Sequence, residues 1–205
     1  VSSEPTVFIV DDDPAALESA AELVRVVFPR VETYSSATEF LGAYDRSRPG
    51  CLVLDVAMPE MSGLELQQRL AEEGIELPVI FLTGHGNVQM AVGAMHAGAV
   101  NFLEKPFHGQ DLWDSIRSAL KVDRENRLLR ARRSDVEERL ATLTSGEQEV
   151  LDLILAGKFN KQIAAELSLS IRTVEDRRSR IMKKLGAASV VKLVQLTLPY
   201  CSGPV

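Results

Sequence analysis

The first half of the chain alternates short apolar runs with amphipathic stretches, and few architectures accommodate that alternation. The runs are Val7–Val10, Val31–Tyr34, Leu52–Leu54, Val79–Leu82 and Val100–Leu103. Helical patterns lie between them, near 14–27, 36–45, 62–73 and 87–97, and a fifth begins near 110. Largely continuous apolar runs need cover on both faces, so they belong in a parallel sheet with helices packed on either side. Start signals agree. Asp13-Pro14 sets a capping carboxylate before a proline at the first helical position. Ser36-Ala37-Thr38-Glu39 and Ser62-Gly63-Leu64-Glu65 have the form of capping boxes. Five β/α units within about 120 residues predict a small doubly wound α/β domain.

The remainder reads as helix. Lys121 to Arg139 lacks proline and glycine and consists of good helix formers. One reading runs the helix that starts at Asp111 on to Leu140, placing Leu129, Val136, Leu140 and Leu143 on a stripe able to pair with another chain. Another is a solvated linker helix, and Ser134-Asp135-Val136-Glu137 would allow a break near Arg133. Thr144-Ser145-Gly146-Glu147 opens a helix over Glu147–Ala156 that Gly157 ends. Helices at Asn160–Leu167, Thr173–Leu185 and Ser189–Thr197 follow. The expected organisation is an α/β domain over 1–121, a helical linker over 122–140 and an all-α four-helix domain over 141–205. Charge divides along the same line. Residues 1–122 hold 8 Lys/Arg against 18 Asp/Glu, a net of −10, and residues 123–205 hold 15 against 11, a net of +4. An acidic front suits a bound cation, and a basic back suits a polyanion.

In open parallel sheets ligands collect at the carboxyl ends of the strands. Here those ends carry Asp11-Asp12-Asp13, Asp55, Thr83-Gly84 and Glu104-Lys105-Pro106. Adjacent carboxylates repel unless a cation neutralises them. Mg²⁺ fits, because it takes a few carboxylates, keeps water and accepts phosphate oxygens. Lys105 and the Thr83 hydroxyl complete a phosphoryl-holding site. Asp55, at the tip of a central strand, is placed as nucleophile toward a phosphoryl group, with Asp11 and Asp12 holding the metal. Asp13 reads as the cap of the first helix. Pro106 after Lys105 is compatible with a cis bond that turns the lysine into the pocket.

Residues 5–121 resemble a receiver domain, a flavodoxin-like fold. The motifs that carry the resemblance are Phe8-Ile9-Val10-Asp11-Asp12, Leu52-Val53-Leu54-Asp55-Val56-Ala57-Met58-Pro59, Gly63, Thr83-Gly84 and Phe102-Leu103-Glu104-Lys105-Pro106-Phe107. The resemblance implies phosphorylation of Asp55 by a sensor histidine kinase. It implies Mg²⁺ held by Asp11, Asp12, Asp55 and the Ala57 carbonyl, with Thr83 moving onto the phosphate and Phe102 drawn inward. Ala57 and His85 flank the expected phosphate and bear on its lifetime.

Residues 161–192 contain eight Lys/Arg and three acidic residues on two short helices joined by a tight turn, the form of a helix-turn-helix. Val174, Ile181 and Leu185 face the core by their spacing, while Arg177, Arg180 and Lys184 point elsewhere, toward phosphates. Leu143-Thr144, Glu147, Glu149-Val150-Leu151, Gly157, Asn160-Lys161-Gln162-Ile163-Ala164, Leu167, Ser170, Thr173-Val174, Ile181 and Lys184-Leu185 resemble the LuxR-type DNA-binding domain. With the receiver, the whole chain resembles response regulators of the NarL/FixJ class. The resemblance maps base-facing positions to Glu175, Asp176 and Ser179, phosphate contacts to Lys161, Thr173, Arg177 and Lys184, and a dimer contact to Ser189–Thr197. Gly146 and Arg177 depart from it, standing where Arg and His are usual. Asp176 is a poor neighbour for DNA unless it accepts from a cytosine amine.

The expectation is a phosphorylation-gated transcription regulator rather than an enzyme. Its partners would be a histidine kinase, double-stranded DNA and, once phosphorylated, a second copy. No apolar run approaches the roughly 18 residues of a membrane span. Two cysteines, Cys51 and Cys201, suit a reducing cytoplasm better than a disulfide framework. Two other readings differ in kind. A haloacid-dehalogenase-like Mg²⁺ phosphohydrolase would use Asp11 as nucleophile and Asp13 as acid-base. A receiver with a protein-binding helical output would not touch DNA.

Overall fold

The structure, a computed structural model, describes residues 4–84 and 88–201. The chain divides after Arg127 into two compact units. In the first, the parallel strands β1 (Thr6–Val10), β2 (Val31–Tyr34), β3 (Gly50–Asp55), β4 (Val79–Thr83) and β5 (Asn101–Glu104) lie in the order β2-β1-β3-β4-β5. Helices α1 (Pro14–Arg25), α2 (Ala37–Ala43), α3 (Gly63–Glu72), α4 (Val88–His96) and the start of α5 (Gly109–Ala141) connect and follow them. This is the expected doubly wound fold.

Successive strand residues point to opposite faces of a sheet. Phe8, Val10, Leu52, Leu54 and Phe81 pack with Phe40 of α2, Leu66 and Leu70 of α3 and Ala94 of α4. Val7, Ile9, Cys51, Val53, Ile80 and Leu82 pack instead with Ala20, Ala21 and Val24 of α1 and Leu112, Ile116 and Ala119 of α5. Both faces are covered, which is why these strands show no polar alternation. Strand order reverses between β1 and β3, so their carboxyl ends open the crevice where such sheets bind ligands.

Local capping fixes the helix starts. Asp13 accepts from the Ala15 amide at 2.9 Å, and Ser62 and Glu65 close a reciprocal box at the start of α3. The box expected at Ser36 is half formed. Ser36 caps Glu39, but the Glu39 carboxylate turns to the amide and hydroxyl of Ser35. The break expected as one alternative near Arg133 does not form. α5 continues to Ala141, and Ser134 donates to Glu138 one turn on rather than capping a new helix.

The second unit carries α6 (Ser145–Leu155), α7 (Asn160–Glu166), α8 (Ile171–Leu185) and α9 (Val190–Cys201). Val150, Leu151, Ile154, Ile163, Ala164, Val174, Ile181, Leu185 and Leu193 form its core. Among the described residues no helix is long and apolar enough to cross a membrane.

At the amino end of β3, opposite the crevice, a polar network holds α5 to the sheet. Asp123 is buried and accepts from the Gly50 amide at 3.1 Å and from the Arg127 guanidinium at 2.9 Å. Arg127 also donates to the carbonyls of Ser47 and Arg48. Replacing Asp123 by alanine leaves the buried Gly50 amide without its acceptor and the half-buried Arg127 guanidinium without its counter-charge, at a cost of about 3 kcal/mol. Urea denaturation of Asp123→Ala followed by circular dichroism is expected to show a lower midpoint with unchanged steepness.

Candidate functional site

β1 and β3 end side by side, which brings Asp11 and Asp55 to one crevice. Both side chains are buried, in a chain where most carboxylates face water. Lys105, just past β5, reaches across so that its Nζ lies 2.6 Å from Asp11 Oδ2 and 2.7 Å from Asp55 Oδ1. The remaining oxygens are also engaged. Asp11 Oδ1 accepts from the Asp13 amide at 3.0 Å, and Asp55 Oδ2 accepts from the Ala57 amide at 2.7 Å. Gly63 makes this loop possible. A Cβ there would stand 2.2 Å from the Asp55 carbonyl oxygen, so only glycine lets α3 start against that backbone.

Burial pushes the Asp11 carboxyl above the ordinary carboxylate range. Lys105 and the Asp13 amide pull the other way, and the charge of Asp55 adds to the rise. Burial also works against the Lys105 ammonium, but the two carboxylates outweigh it and hold its pKa above the usual lysine value. Thr83 is buried at the end of β4, one residue past Leu82, the register partner of Asp55. Phe102, half-buried on β5, packs on Phe81 with ring centroids 6.1 Å apart. Asp12 is exposed beside the cluster. The Lys105–Pro106 bond is cis. His85 lies outside the described residues.

Among the described residues no three acidic, histidine or cysteine side chains gather as a metal cluster. Mg²⁺ does not require one, since it binds through one or two carboxylates and fills its remaining positions with water and phosphate oxygens. Asp11 and Asp55 supply hard, buried oxygens of that kind, and Asp12 adjoins them.

In the second unit, α8 begins at Ile171, two residues before the apolar spacing indicates, because Ser170 caps the Thr173 amide at 3.1 Å. Its basic residues are of two kinds. Lys184 is turned inward, donating to Glu147 at 2.6 Å and to the Thr142 carbonyl at 2.9 Å. Glu147 is buried, and its charge needs this partner. Arg177 donates to the Gly146 carbonyl at 3.0 Å, and a Cβ on residue 146 would stand 2.7 Å from its Nη1. Glycine at 146 therefore provides the seat for the arginine at 177, and the two departures from the LuxR pattern form one matched pair. Arg178 donates to Asn160 Oδ1 at 2.7 Å. The exposed side of α8 presents Arg172, Glu175, Asp176, Ser179, Arg180 and Lys183, with Lys161 exposed on α7. Thr173 shares a hydroxyl contact with Ser170 at 2.8 Å.

The family model for the response regulator receiver domain matches residues 7–117, and that for bacterial regulatory proteins of the luxR family matches 141–197. The chain belongs to the response regulators of the NarL/FixJ class. Response regulator protein TodT of Pseudomonas putida is 46% identical over 93% of this chain and 84% of its own length. The transcriptional regulatory protein FixJ of Rhizobium meliloti is 40% identical over 97% of this chain and 98% of its own. The solved structure of the response regulator StyR has a TM-score of 0.85 at 43% identity, covering 97% of this chain and all of StyR. This response regulator thus joins a receiver domain to a LuxR-type DNA-binding domain.

Arg172 and Lys183 of this regulator lie outside the motif positions named from the sequence, and the signal that marks them is a helical projection opposite Val174 and Ile181. Hydrogen bonds from Lys184 and from the Thr144 amide hold the Glu147 carboxyl at about 2, well below its ordinary 4.5. A carboxylate whose pKa falls on folding contributes fully above its unfolded value and loses that contribution as pH drops toward the folded one. Glu147→Gln is therefore expected to lower the second unit's thermal midpoint at neutral pH. It is also expected to flatten the decline of that midpoint between pH 4.5 and about 2, followed by calorimetry.

Proposed function

We propose that this response regulator is switched by Mg²⁺-dependent phosphorylation of Asp55 by a sensor histidine kinase, and that the phosphorylated form dimerises and binds paired sites on double-stranded DNA. One observation carries the reading: the Lys105 ammonium sits within 2.7 Å of both Asp11 and Asp55 at the sheet's crevice. Such a buried triad contributes little to stability against an apolar replacement, so its presence points to chemistry.

A carboxylate oxygen of Asp55 attacks the phosphorus of the kinase's phosphohistidine. The P–N bond breaks, and its electron pair stays with the imidazole, which takes up a proton. Asp11, Asp12, Asp55 and the Ala57 carbonyl are the residues that would hold Mg²⁺, which when bound neutralises charge on the transferring phosphoryl oxygens. Lys105 then has a phosphoryl oxygen to bind in place of Asp55, and the Thr83 hydroxyl supplies a second donor. Withdrawing Thr83 toward the phosphate opens space for Phe102 to pack more deeply beside Phe81, which alters the β4–β5 surface.

The phosphohydrolase alternative loses its second carboxylate, because Asp13 is committed to capping α1. For the output, Glu175, Asp176 and Ser179 are the base-facing candidates, and Lys161, Thr173 and Arg180 the phosphate-facing ones. Arg172 and Lys183 join them by exposure. Arg177 and Lys184 serve the fold and would reach phosphate only by giving up Gly146 and Glu147. A cytoplasmic location, as the DNA target requires, completes the reading.

The test is operator binding by the full chain, using a site selected from random duplexes. Beryllofluoride with Mg²⁺ is expected to tighten binding at least about tenfold, equivalent to about 1.4 kcal/mol. Asp55→Asn should remove the response and leave basal binding. An Asp55→Asn chain that responded as fully as the native one would refute the switch, and a selection yielding no enriched sequence would favour a protein-binding output.

A further inference from the structure

The second half of α5 has the residue spacing of a two-stranded coiled coil. Val122, Leu129 and Val136 recur every seven residues, with Asn126, Arg133 and Leu140 four positions after each. Placing the first set at heptad position d puts the second at a. Leu129 is 54% exposed, which leaves an apolar side chain at the centre of this stripe in water. Leu140 packs against the core of the second unit and Asn126 and Val136 are half-buried, so the seam runs from Asn126 to Val136 with Leu129 as its exposed apolar centre.

Charge selects the occupant. Positions g hold Glu125 and Arg132, and positions e hold Arg130 and Glu137. In a parallel, in-register pair each g residue faces the e residue five positions later on the other helix. Glu125 then meets Arg130 of the second copy, and Arg132 meets Glu137 of the second copy. Both contacts are attractive, and each occurs twice by symmetry. The antiparallel pairing that sets Asn126 against Val136 and Leu129 against Arg133 brings Arg130 to Arg130 and Arg132 to Arg132 at its centre, which repel, and leaves attraction only at the ends, between Glu125 and Arg139. Asn126 at a core a position also favours a two-stranded pair in fixed register. A second copy of the same chain, aligned in parallel, satisfies every one of these features.

We propose that α5 pairs with α5 of a second copy along Asn126, Leu129, Arg133 and Val136, as a parallel seam within the phosphorylation-induced dimer. The inference rests on that dimer. Arg133 places like charges together at one layer, so the seam is too weak to hold two chains alone and closes only when another contact brings the copies together. It would thereby tie the register of one linker to that of its twin.

The test uses the full chain with Cys201→Ser, to which Leu129→Cys or Leu128→Cys is added. Each is loaded with beryllofluoride and Mg²⁺ and mildly oxidised. Leu129→Cys is expected to yield a disulfide-linked dimer as the main species, and Leu128→Cys, off the seam, to yield little. In sedimentation of chains with neither cysteine added, Glu137→Arg is expected to raise the dimer dissociation constant about tenfold, and Arg132→Glu combined with it to restore the native value. A beryllofluoride dimer that lacks the Leu129 cross-link, or one indifferent to the Glu137 reversal, overturns the seam alone. If beryllofluoride produces no dimer, the phosphorylation-driven dimer falls and the seam with it.

Discussion

The Lys105 ammonium lying between two buried carboxylates is the interaction around which the first unit is organised. Asp11 and Asp55 stand close only because β1 and β3 are neighbours in the sheet, and Lys105 reaches them from the far end of β5. Without a cation, two carboxylates in so dry a crevice would repel and one would take up a proton. With the lysine they stay together, although burial first, and to a smaller extent the charge of Asp55, holds the Asp11 carboxyl above its ordinary range. A phosphoryl group added to Asp55 would draw the lysine away from one carboxylate without requiring the backbone to build a new pocket.

A second locked charge pair organises the output unit. Glu147 closes the box that starts α6 and is buried there, and Lys184 on α8 neutralises it. Arg177 fastens the same two helices by filling the space left by Gly146. These contacts hold α8 against α6 by its buried side and leave Arg172, Asp176, Ser179 and Lys183 turned outward. The basic character of α8 thus serves two purposes, and only part of it is available to a polyanion.

Much of this was legible in the chain itself. The strands could be read from their apolar runs because both sheet faces are covered, and Asp11, Asp55 and Lys105 could be placed together because strand ends in such a sheet converge. The apolar spacing of α8 starts two residues inside the helix because its first turn, Ile171-Arg172, is exposed and carries no core periodicity. The commitments of Lys184 and Arg177 could not be read, since their partners lie 37 and 31 residues away and are set by packing. Asp123 and Arg127 look like an ordinary surface pair four residues apart. Only the fold reveals that Asp123 is buried against the Gly50 amide.

The proposed switch requires that Asp55, and no other carboxylate, accept a phosphoryl group. The full chain can be incubated with acetyl phosphate and Mg²⁺, reduced with borohydride to convert any aspartyl phosphate to homoserine, digested and sequenced by tandem mass spectrometry. Conversion at Asp55 and at no other aspartate is the predicted result. Conversion at Asp11 instead, or an unmodified chain, would contradict it.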